Sequence, residues 1–278
     1  MNLAGLTTFL AIVDSGSLVR AAERLNVTQS TVTARLKGLE EELGQQLVLR
    51  QKTGVVLTPS GANFKRYAQT MVDLWRQARQ ETSLPDGIEA VCNLGCHMDL
   101  WPGLGRALVA TIREERETVG LRARPGDEGQ LEQWLGAGLA DAILTYRPSS
   151  RDGQSNHLLY EERLIVVSSR EDGPLRSEPR YIYFDAGEEF GRRHTEAYVD
   201  AGIAKVSFPS AVWALEHLLD RGGSAYLPER LVAPCLKERR LYRLKDAPVF
   251  SRSVYLVSND ASMDNWPWLP ETVLAVLD

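Results

Sequence analysis

Apolar residues recur every three or four positions through the first 45 residues, which is the spacing of helices that each bury one face. The first apolar stripe ends at Gly16, and Ser17 is suited to cap a short second helix. Asn26 predicts a tight turn, after which Thr28 can cap a third helix that stops at Gly44. The pattern therefore predicts three short helices, with the second and third joined by a turn of about four residues.

The third predicted helix has an apolar face, on which Val32 and Leu36 lie, and polar side chains on its other faces. Those polar residues are Gln29, Ser30, Thr33 and Arg35. Two short helices with a polar surface on the second are typical of a helix-turn-helix, whose second helix reads the major groove of DNA. Any small three-helix bundle has the same apolar spacing, so the helices alone leave both interpretations open.

A strand, a basic turn and a second strand are predicted over residues 48–57. Arg50 and Lys52 lie in this hairpin, and their cationic groups suit contact with phosphate or the minor groove. Thr58 followed by Pro59 then begins another helix. A hairpin beside a helix-turn-helix forms a wing, which favours the DNA-binding interpretation.

The polar residues of the third helix have the chemistry that base recognition needs. The amide of Gln29 can donate to and accept from adenine. The hydroxyls of Ser30 and Thr33 can reach base edges or phosphate, and Arg35 can reach guanine or the backbone. For each residue the alternative is an ordinary solvated position on a helix.

A longer helix is predicted over residues 59–84, with apolar residues about every 3.5 positions, the repeat of a coiled coil. Phe64, Met71 and Trp75 lie on this seam, which implies a partner helix. The alternative is a helix that packs on its own domain. The run Leu84–Gly87 breaks the helix, so a domain boundary is predicted there.

Strand-like and helical segments alternate beyond residue 87, which predicts an α/β domain with a largely parallel sheet. The predicted strands are Ile88–Leu94, Val119–Arg124, Ala140–Leu144, Arg163–Ser168, Tyr181–Asp185, Lys205–Phe208 and Val254–Ser258. The predicted helices are Leu100–Glu115, Gln130–Leu135 and Ala211–Asp220. Ligands of such sheets bind beyond the carboxyl ends of the strands, so a binding site is expected there.

Composition is that of an ordinary globular protein, with 278 residues, 44% hydrophobic and 25% charged. No apolar run is long enough to span a membrane, and three cysteines indicate no disulfide framework, so a cytoplasmic location is expected. Residues 1–87 hold ten Lys and Arg against eight Asp and Glu, whereas residues 88–278 hold 22 against 29. The acidic excess lies in the second domain and therefore does not oppose DNA binding by the first.

The run AAERLNVTQSTVTARLKGLEEELGQQLVLR, followed by LTPSG, closely resembles the winged helix-turn-helix of LysR-type transcriptional regulators. The matching positions are Phe9, Ser15-Gly16-Ser17, Ala21-Ala22, Leu25, Thr28-Gln29-Ser30, Val32, Leu39-Glu40, Leu43-Gly44, Leu47, Arg50 and Leu57-Thr58-Pro59-Ser60-Gly61. Thr33, Ala34 and Val48 depart from the usual pattern, which affects the expected base preference and not the fold. Two later runs, Gly138–Ile143 and Gly222–Pro228, resemble the family's effector domain, so the resemblance covers the whole chain.

The resemblance implies a sequence-specific transcriptional regulator whose linker helix pairs two chains on a pseudo-palindromic operator. The implied domains are an all-α winged helix-turn-helix at 1–58, a linker helix at 59–87 and a two-lobed α/β effector domain of periplasmic-binding-protein type at 88–278. Within the last domain, the expected lobes are 88–162 with 260–278 and 169–252. The expected partners are double-stranded DNA, a small-molecule effector, further copies in a homodimer or homotetramer, and RNA polymerase. No cofactor or metal is expected.

Strand ends and helix starts supply the candidate effector contacts. They are Cys96, His97, Met98, Tyr146, Ser207 and Ser210. Free N–H groups at helix starts near Asp99 and Ser210 favour an anionic group, so an anionic effector is expected. His97, with a reference pKa of about 6.5, is a candidate reader of ligand charge, and its alternative is a partly exposed loop histidine. Cys96, His97 and Met98 stand where many members of the family have Ser or Thr.

Two other functions are compatible with the sequence. An α/β enzyme with an added DNA-binding module is disfavoured, because the sequence contains no recognised nucleophile, cofactor or metal motif. An architectural DNA-binding protein, whose second domain only oligomerises, stays open because the usual Ser or Thr loop is missing. A ligand-responsive regulator is the leading interpretation. Within the family, residues 190–228 resemble a subgroup of short regulators that includes the H-NS-dependent regulator of flagellar genes.

Overall fold

The computed structural model describes residues 2–51, 54–173, 180–199 and 204–277. Its contacts divide the chain into two compact units, Met1–Pro85 and Asp86–Asp278. Each unit has its own apolar core. Within the described residues, no helix is both long enough and apolar enough to cross a membrane.

The N-terminal unit combines helices with one antiparallel hairpin. Its elements in chain order are α1 (Leu3–Ser15), α2 (Leu18–Leu25), α3 (Gln29–Leu43), β1 (Val48–Gln51), β2 (Gly54–Leu57) and α4 (Pro59–Glu81). The two strands pair so that Arg50 lies opposite Val55. The predicted winged helix-turn-helix and the long helix after it are therefore present.

Local chemistry sets where these helices begin and end. The hydroxyls of Ser17, Thr28 and Thr58 each accept a hydrogen bond from a backbone N–H in the first turn of the following helix. Helix α2 ends at Asn26, with φ 53°, and α3 ends at Gly44, with φ 65°, both in the left-handed region. The predicted helix starts and stops are confirmed at these residues.

The C-terminal unit is built on one mixed sheet with helices packed against it. Its strands are β3 (Ala90–His97), β4 (Val119–Gly126), β5 (Ala142–Thr145), β6 (Gln154–Ser168), β7 (Tyr181–Phe184), β8 (Val206–Phe208), β9 (Ser224–Pro228), β10 (Tyr242–Arg243) and β11 (Phe250–Asn259). Its helices are α5 (Arg106–Glu115), α6 (Glu128–Gly136), α7 (Glu188–Ala197), α8 (Ala211–Arg221), α9 (Glu229–Lys237), α10 (Asp260–Met263) and α11 (Leu269–Ala275). The strand order is β4-β3-β5-β11-β6-β9-β7-β8, with β10 paired to β6.

Two long antiparallel strands, β6 and β11, run through both halves of this sheet. The parallel group β4-β3-β5 belongs to lobe one, and the parallel group β9-β7-β8 belongs to lobe two. The two-lobed α/β architecture is as predicted, but the sheet is mixed and not largely parallel, because the chain crosses between the lobes in opposite directions. Pairing of β6 with β9 begins at Leu164 and pairing of β11 with β5 begins at Tyr255, so the crossings lie just before these residues.

Candidate functional site

The first turns of α3 carry a small polar surface beside the hairpin. Gln29 and Ser30 are exposed, and Thr33 is half-buried one turn further along. Arg50 Nη2 of β1 donates to Thr33 Oγ1 at 3.4 Å, so helix and hairpin meet at this residue. The Thr28 hydroxyl caps the helix and lies 2.8 Å from Ser30 Oγ. Donors and acceptors from both elements are thus brought together on one side of the unit.

The helix geometry separates Arg35 from this surface. Arg35 is half-buried, and at about 100° per residue it lies about 200° around α3 from Thr33. It is therefore on the opposite flank of the helix. Lys52, the other predicted contact, lies outside the described residues.

The carboxylate of Glu40 holds the hairpin against α3. Its Oε1 accepts hydrogen bonds from Leu47 N at 2.7 Å and from Val48 N at 3.2 Å. These two hydrogen bonds hold the start of β1, just before Arg50, against α3. The carboxylate of Glu40 therefore positions the wing and does not point towards DNA phosphate.

Helix α4 divides its apolar residues between two faces. Phe64 and Met71 pack against the core of the N-terminal unit, whereas Tyr67, Leu74 and Trp75 are exposed. Trp75 keeps 45% of its surface accessible. Phe64, Met71 and Trp75 therefore do not form a single exposed face, because Phe64 and Met71 both pack inward. Pairing of two chains through Trp75 stays a prediction.

A cavity of about 770 Å³ lies between the two lobes of the C-terminal unit. Strand ends from both lobes reach it, with His97 ending β3, Asp127 following β4, Tyr146 following β5 and Asp185 following β7. Residues 251–253, near the start of β11, also line it. Carboxyl ends of parallel strands are the usual ligand sites of α/β sheets, and this volume suits a small organic molecule.

His97 is nine-tenths buried and lines the cavity. Its Nδ1 accepts a hydrogen bond from Asp99 N at 3.2 Å, so the ring proton is on Nε2, which lies 4.0 Å from Glu128 Oε1. Burial lowers the pKa of His97 from 6.5 to about 4, although the Glu128 carboxylate acts in the other direction. The imidazole is neutral at physiological pH, so the expectation that it titrates near neutrality is wrong.

A side chain of the protein occupies the helix start that was expected to bind an anion. Asp99 Oδ1, from lobe one, accepts hydrogen bonds from Ala211 N at 2.8 Å and from Ser210 Oγ at 2.9 Å, at the start of α8 in lobe two. Asp99 does not cap a helix of its own, because α5 begins only at Arg106 after an irregular turn. Burial raises the pKa of Asp99, and its hydrogen bonds act against that rise. The N–H groups expected to hold an anionic effector are therefore engaged.

A buried ionic network joins the lobes beside the cavity. Glu162 on β6, with 2% of its side chain exposed, accepts from Arg230 Nε at 2.5 Å, Arg252 Nε at 2.8 Å and Tyr146 OH at 3.0 Å. Arg230, on α9 of lobe two, also donates to two carbonyls in the 99–102 turn of lobe one. The guanidinium of Arg252 lies 3.4 Å from the centroid of the Tyr146 ring. Buried charges are tolerated only when paired in this way, and the pairing ties the two lobes together.

Of the residues predicted to contact an effector, His97 and Tyr146 line the cavity. Those that do not line it are Cys96, Met98, Ser207 and Ser210. Cys96 and His97 are neighbours on β3, so their side chains lie on opposite faces of the sheet, and Cys96 belongs to the core of lobe one. Burial raises the pKa of the Cys96 thiol to about 12.

The acidic lining of the cavity was not predicted from the sequence. Six carboxylates line it, those of Asp127, Glu128, Glu161, Asp185, Glu188 and Glu189. Among the described lining residues, two guanidinium groups, those of Arg147 and Arg252, oppose them. The signal was the run DAGEEF after the predicted strand at 181–185, which places Glu188 and Glu189 in the first turn of α7. In the described part of the chain, no three His, Cys, Asp or Glu side chains are grouped to hold a metal ion.

This fold and these sites define a winged-helix DNA-binding unit followed by a two-lobed domain with a ligand-sized cavity. The family described as bacterial regulatory helix-turn-helix protein, LysR family, matches residues 3–62, and the LysR substrate binding domain matches residues 86–265. The chain belongs to the LysR family, and it is a DNA-binding transcriptional regulator with an effector-binding domain.

Similar proteins come from several bacteria. The transcriptional regulator HdfR of Yersinia enterocolitica is 29% identical over 242 residues, which cover 82% of each chain. The ArgP structure from Mycobacterium tuberculosis is 24% identical with a TM-score of 0.59, covering 98% of this chain and 96% of that one. LysG from Corynebacterium glutamicum, solved with bound effector Arg, is 23% identical with a TM-score of 0.56, covering 99% and 98%. The two structures share the fold of this chain.

Proposed function

We propose that the chain binds a pseudo-palindromic operator as a homodimer or homotetramer, and that a small molecule in the cavity between the lobes controls its effect on transcription. The cavity is the observation that carries the proposal. It is lined by strand ends of both lobes, so a molecule bound there contacts both. A ligand that contacts both lobes can favour one of their arrangements over another.

The polar surface of α3 and β1 supports sequence-specific binding. Gln29 and Ser30 are exposed at the start of the helix that a winged helix-turn-helix inserts into the major groove. Arg50 donates a hydrogen bond to Thr33 from the hairpin, so its cation lies next to a side chain for which we propose a base contact. We assign base contacts to Gln29, Ser30 and Thr33 and a phosphate or minor-groove contact to Arg50. Arg35, on the other flank, is left out of this interface.

The exposed face of α4 supports pairing of two chains. Tyr67, Leu74 and Trp75 are large apolar side chains left accessible on one helix of 23 residues. A partner helix of a second copy would bury them in the manner of a coiled coil. Pairing through this face would present two winged units to the two halves of a palindrome.

A specific observation also favours the alternative of an architectural DNA-binding protein. Asp99 fills the helix start of α8, and Glu162 with its two arginines ties the lobes, all from side chains of the chain itself. A domain held together in this way needs no ligand to connect its lobes.

The experiment begins with sequencing the genomic DNA that co-purifies with the protein, which identifies the operator. Footprinting on that operator is then repeated with small amines, amino acids and organic acids. We expect specific protection that a cavity ligand alters. Equal affinity for operator and random DNA would overturn the operator part, and protection that no ligand alters would favour the architectural alternative.

A further inference from the structure

The contact between Asp99 and the start of α8 joins the two lobes through a single carboxylate. We infer that the start of α8 is a carboxylate-binding site and that Asp99 is its tethered ligand, which holds the lobes in the arrangement that a free carboxylate would otherwise have to produce. This inference goes beyond the proposed function and does not depend on a molecule in the cavity. It rests on the donors at the helix start, on the burial of the contact and on the path of the 99–102 turn.

The start of α8 has the donors of an anion site. This helix of 11 residues follows closely after β8, beyond the carboxyl end of that strand. Ala211 N donates to Asp99 Oδ1 at 2.8 Å, and the Ser210 hydroxyl donates to the same oxygen at 2.9 Å. A hydrogen bond from the Val212 backbone also lowers the pKa of Asp99. Helix starts beyond strand ends are the usual anion sites of α/β folds, and here their donors converge on a side chain of the chain itself.

Asp99 reaches this site from the other lobe and is shielded from water. It follows β3 of lobe one, 111 positions before Ser210. Asp99 is 0% exposed and Ser210 is 1% exposed. A carboxylate that is buried so completely is stable only when donors surround it. The contact is therefore comparable to that of an enclosed ligand and not to a surface ion pair.

The site holds the carboxylate through one oxygen and leaves the other without a donor. Asp99 Oδ2 is buried and has no hydrogen-bond partner among the described residues. Arg252 Nη2, a buried nitrogen that also lacks a hydrogen bond there, lies 3.8 Å from it and is paired with Glu162 at 2.7 Å. Burial raises the pKa of Asp99, as expected for a carboxylate that is only partly satisfied. A contact with one unsatisfied oxygen is weaker than a complete one, so it can be released.

The backbone next to Asp99 is bound by lobe two as well. Arg230 of α9 donates to the carbonyl oxygens of Asp99 and Pro102. Asp99 N donates to His97 Nδ1 at 3.2 Å, and His97 lines the cavity. The 99–102 turn is thus a strap from lobe one that lobe two holds by side chain and backbone. Because His97 contacts both, a molecule in the cavity can act on the strap.

Chemical rescue tests the inference in the full-length protein. Asp99→Gly removes the tethered carboxylate and should lower the Tm. Sodium formate or sodium acetate at about 100 mM should raise the Tm of this variant relative to sodium chloride of the same ionic strength, because a free carboxylate then fills the site. The wild type, whose site is filled, should show no difference between the salts. Asp152→Gly makes the same change at an exposed residue between β5 and β6, and should show neither the loss nor the rescue.

Hydrogen exchange locates the rescue. The amide of Ala211, followed by mass spectrometry of peptides from the start of α8, should exchange about tenfold faster in Asp99→Gly, because it loses its acceptor. Formate should slow that exchange again. Asp99→Asn keeps an oxygen for Ala211 N but lacks the charge, so its exchange should be intermediate. Formate should not alter it, since the side chain still fills the site.

The outcomes decide the inference without DNA. An equal rise of Tm in formate for wild type and Asp99→Gly would overturn it, because the anion would then act elsewhere. Equal Tm values for Asp99→Gly and Asp152→Gly, or unchanged exchange at Ala211, would overturn it as well. If Asp99→Gly does not fold in either salt, exchange in Asp99→Asn decides, and protection equal to wild type would refute the inference. Since no operator or cavity ligand is used, a failure here leaves the proposed function to its own test.

Discussion

Removing the Arg230 guanidinium should destabilise the C-terminal unit far more than a typical surface substitution. Arg230→Met keeps the aliphatic stem but leaves Glu162, with 2% of its side chain exposed, facing Arg252 alone. It also leaves two carbonyls of the 99–102 turn without a donor. Losing one partner of a buried ion pair costs about 3–5 kcal/mol. Arg230 keeps 24% of its side chain exposed and Arg252 remains, so we expect the lower end, about 3 kcal/mol.

A second substitution in the same network tests whether the cost is electrostatic. Glu162→Gln together with Arg230→Met leaves one carboxylate, Asp99, beside one guanidinium, Arg252, and restores the balance of charge. We expect the double variant to be more stable than the sum of the single effects by about 2 kcal/mol. Arg192→Met, which removes exposed ion pairs to Glu189 and Glu196, is the surface control and should cost far less than Arg230→Met.

Urea unfolding followed by tryptophan fluorescence measures these free energies in the full chain. Five of the six tryptophans lie beyond residue 87, so the signal reports mainly on the C-terminal unit. A double variant whose effect equals the sum of the single effects would show that the two charges are not coupled. A loss for Arg230→Met no larger than for Arg192→Met would show that the network does not stabilise the unit. Either result would refute the reasoning.

Three further predictions concern pH, DNA and assembly. Burial lowers the pKa of His97 from 6.5 to about 4, so below pH 6.5 the unfolded chain takes up a proton more readily than the folded one. The stability that the neutral imidazole allows is therefore complete above pH 6.5, and the free energy of unfolding should fall by about 3 kcal/mol as the pH drops from 6.5 towards 4. Urea unfolding of wild type and His97→Asn should diverge over that window, and parallel curves would contradict it. Gln29→Ala should cost about 1–3 kcal/mol at the operator and relax sequence preference, whereas Arg50→Ala should weaken all sequences and lower the salt slope by about one per subunit. Anisotropy titrations at several salt concentrations decide this, and an equal loss on random DNA would exclude base reading by Gln29. Trp75→Glu should convert the proposed dimer to monomers in light scattering without unfolding the winged unit, and an unchanged mass would contradict pairing through α4.

The winged unit could be predicted closely because its signals are local. Caps such as Thr28 and stops such as Gly44 act within one turn of the helix they bound, so a short run of sequence contains both the cause and the effect. The same run could not show that Phe64 turns inward. That outcome depends on the packing of α4 against a core assembled from residues far apart in the chain.

The cavity could be placed only in part, because its key contacts join distant residues. Strand ends indicated His97 and Tyr146, but Asp99 meets Ser210 across 111 positions, a pairing that no local pattern encodes. Neighbouring residues of β3 face opposite sides of the sheet, so a difference of one position decides whether a side chain lines the cavity or enters the core. Cys96 was predicted to line the cavity with His97, but it lies in the core. Helix α7 was missed altogether, and with it the acidic side chains that set the charge of the cavity.

The network and the cavity bear on the relation between the lobes in different ways, which indicates how a bound ligand would act as a signal. Arg230, paired with Glu162 of β6, donates to carbonyls of lobe one and ties the lobes together, whereas the cavity beside it is lined by strand ends of both lobes. A coupling of about 1–3 kcal/mol is enough for a regulatory shift, and a ligand supplies it only if it binds one arrangement better. A ligand that contacts both walls of the cavity binds better when the walls are close, so it strengthens the connection that the network already makes.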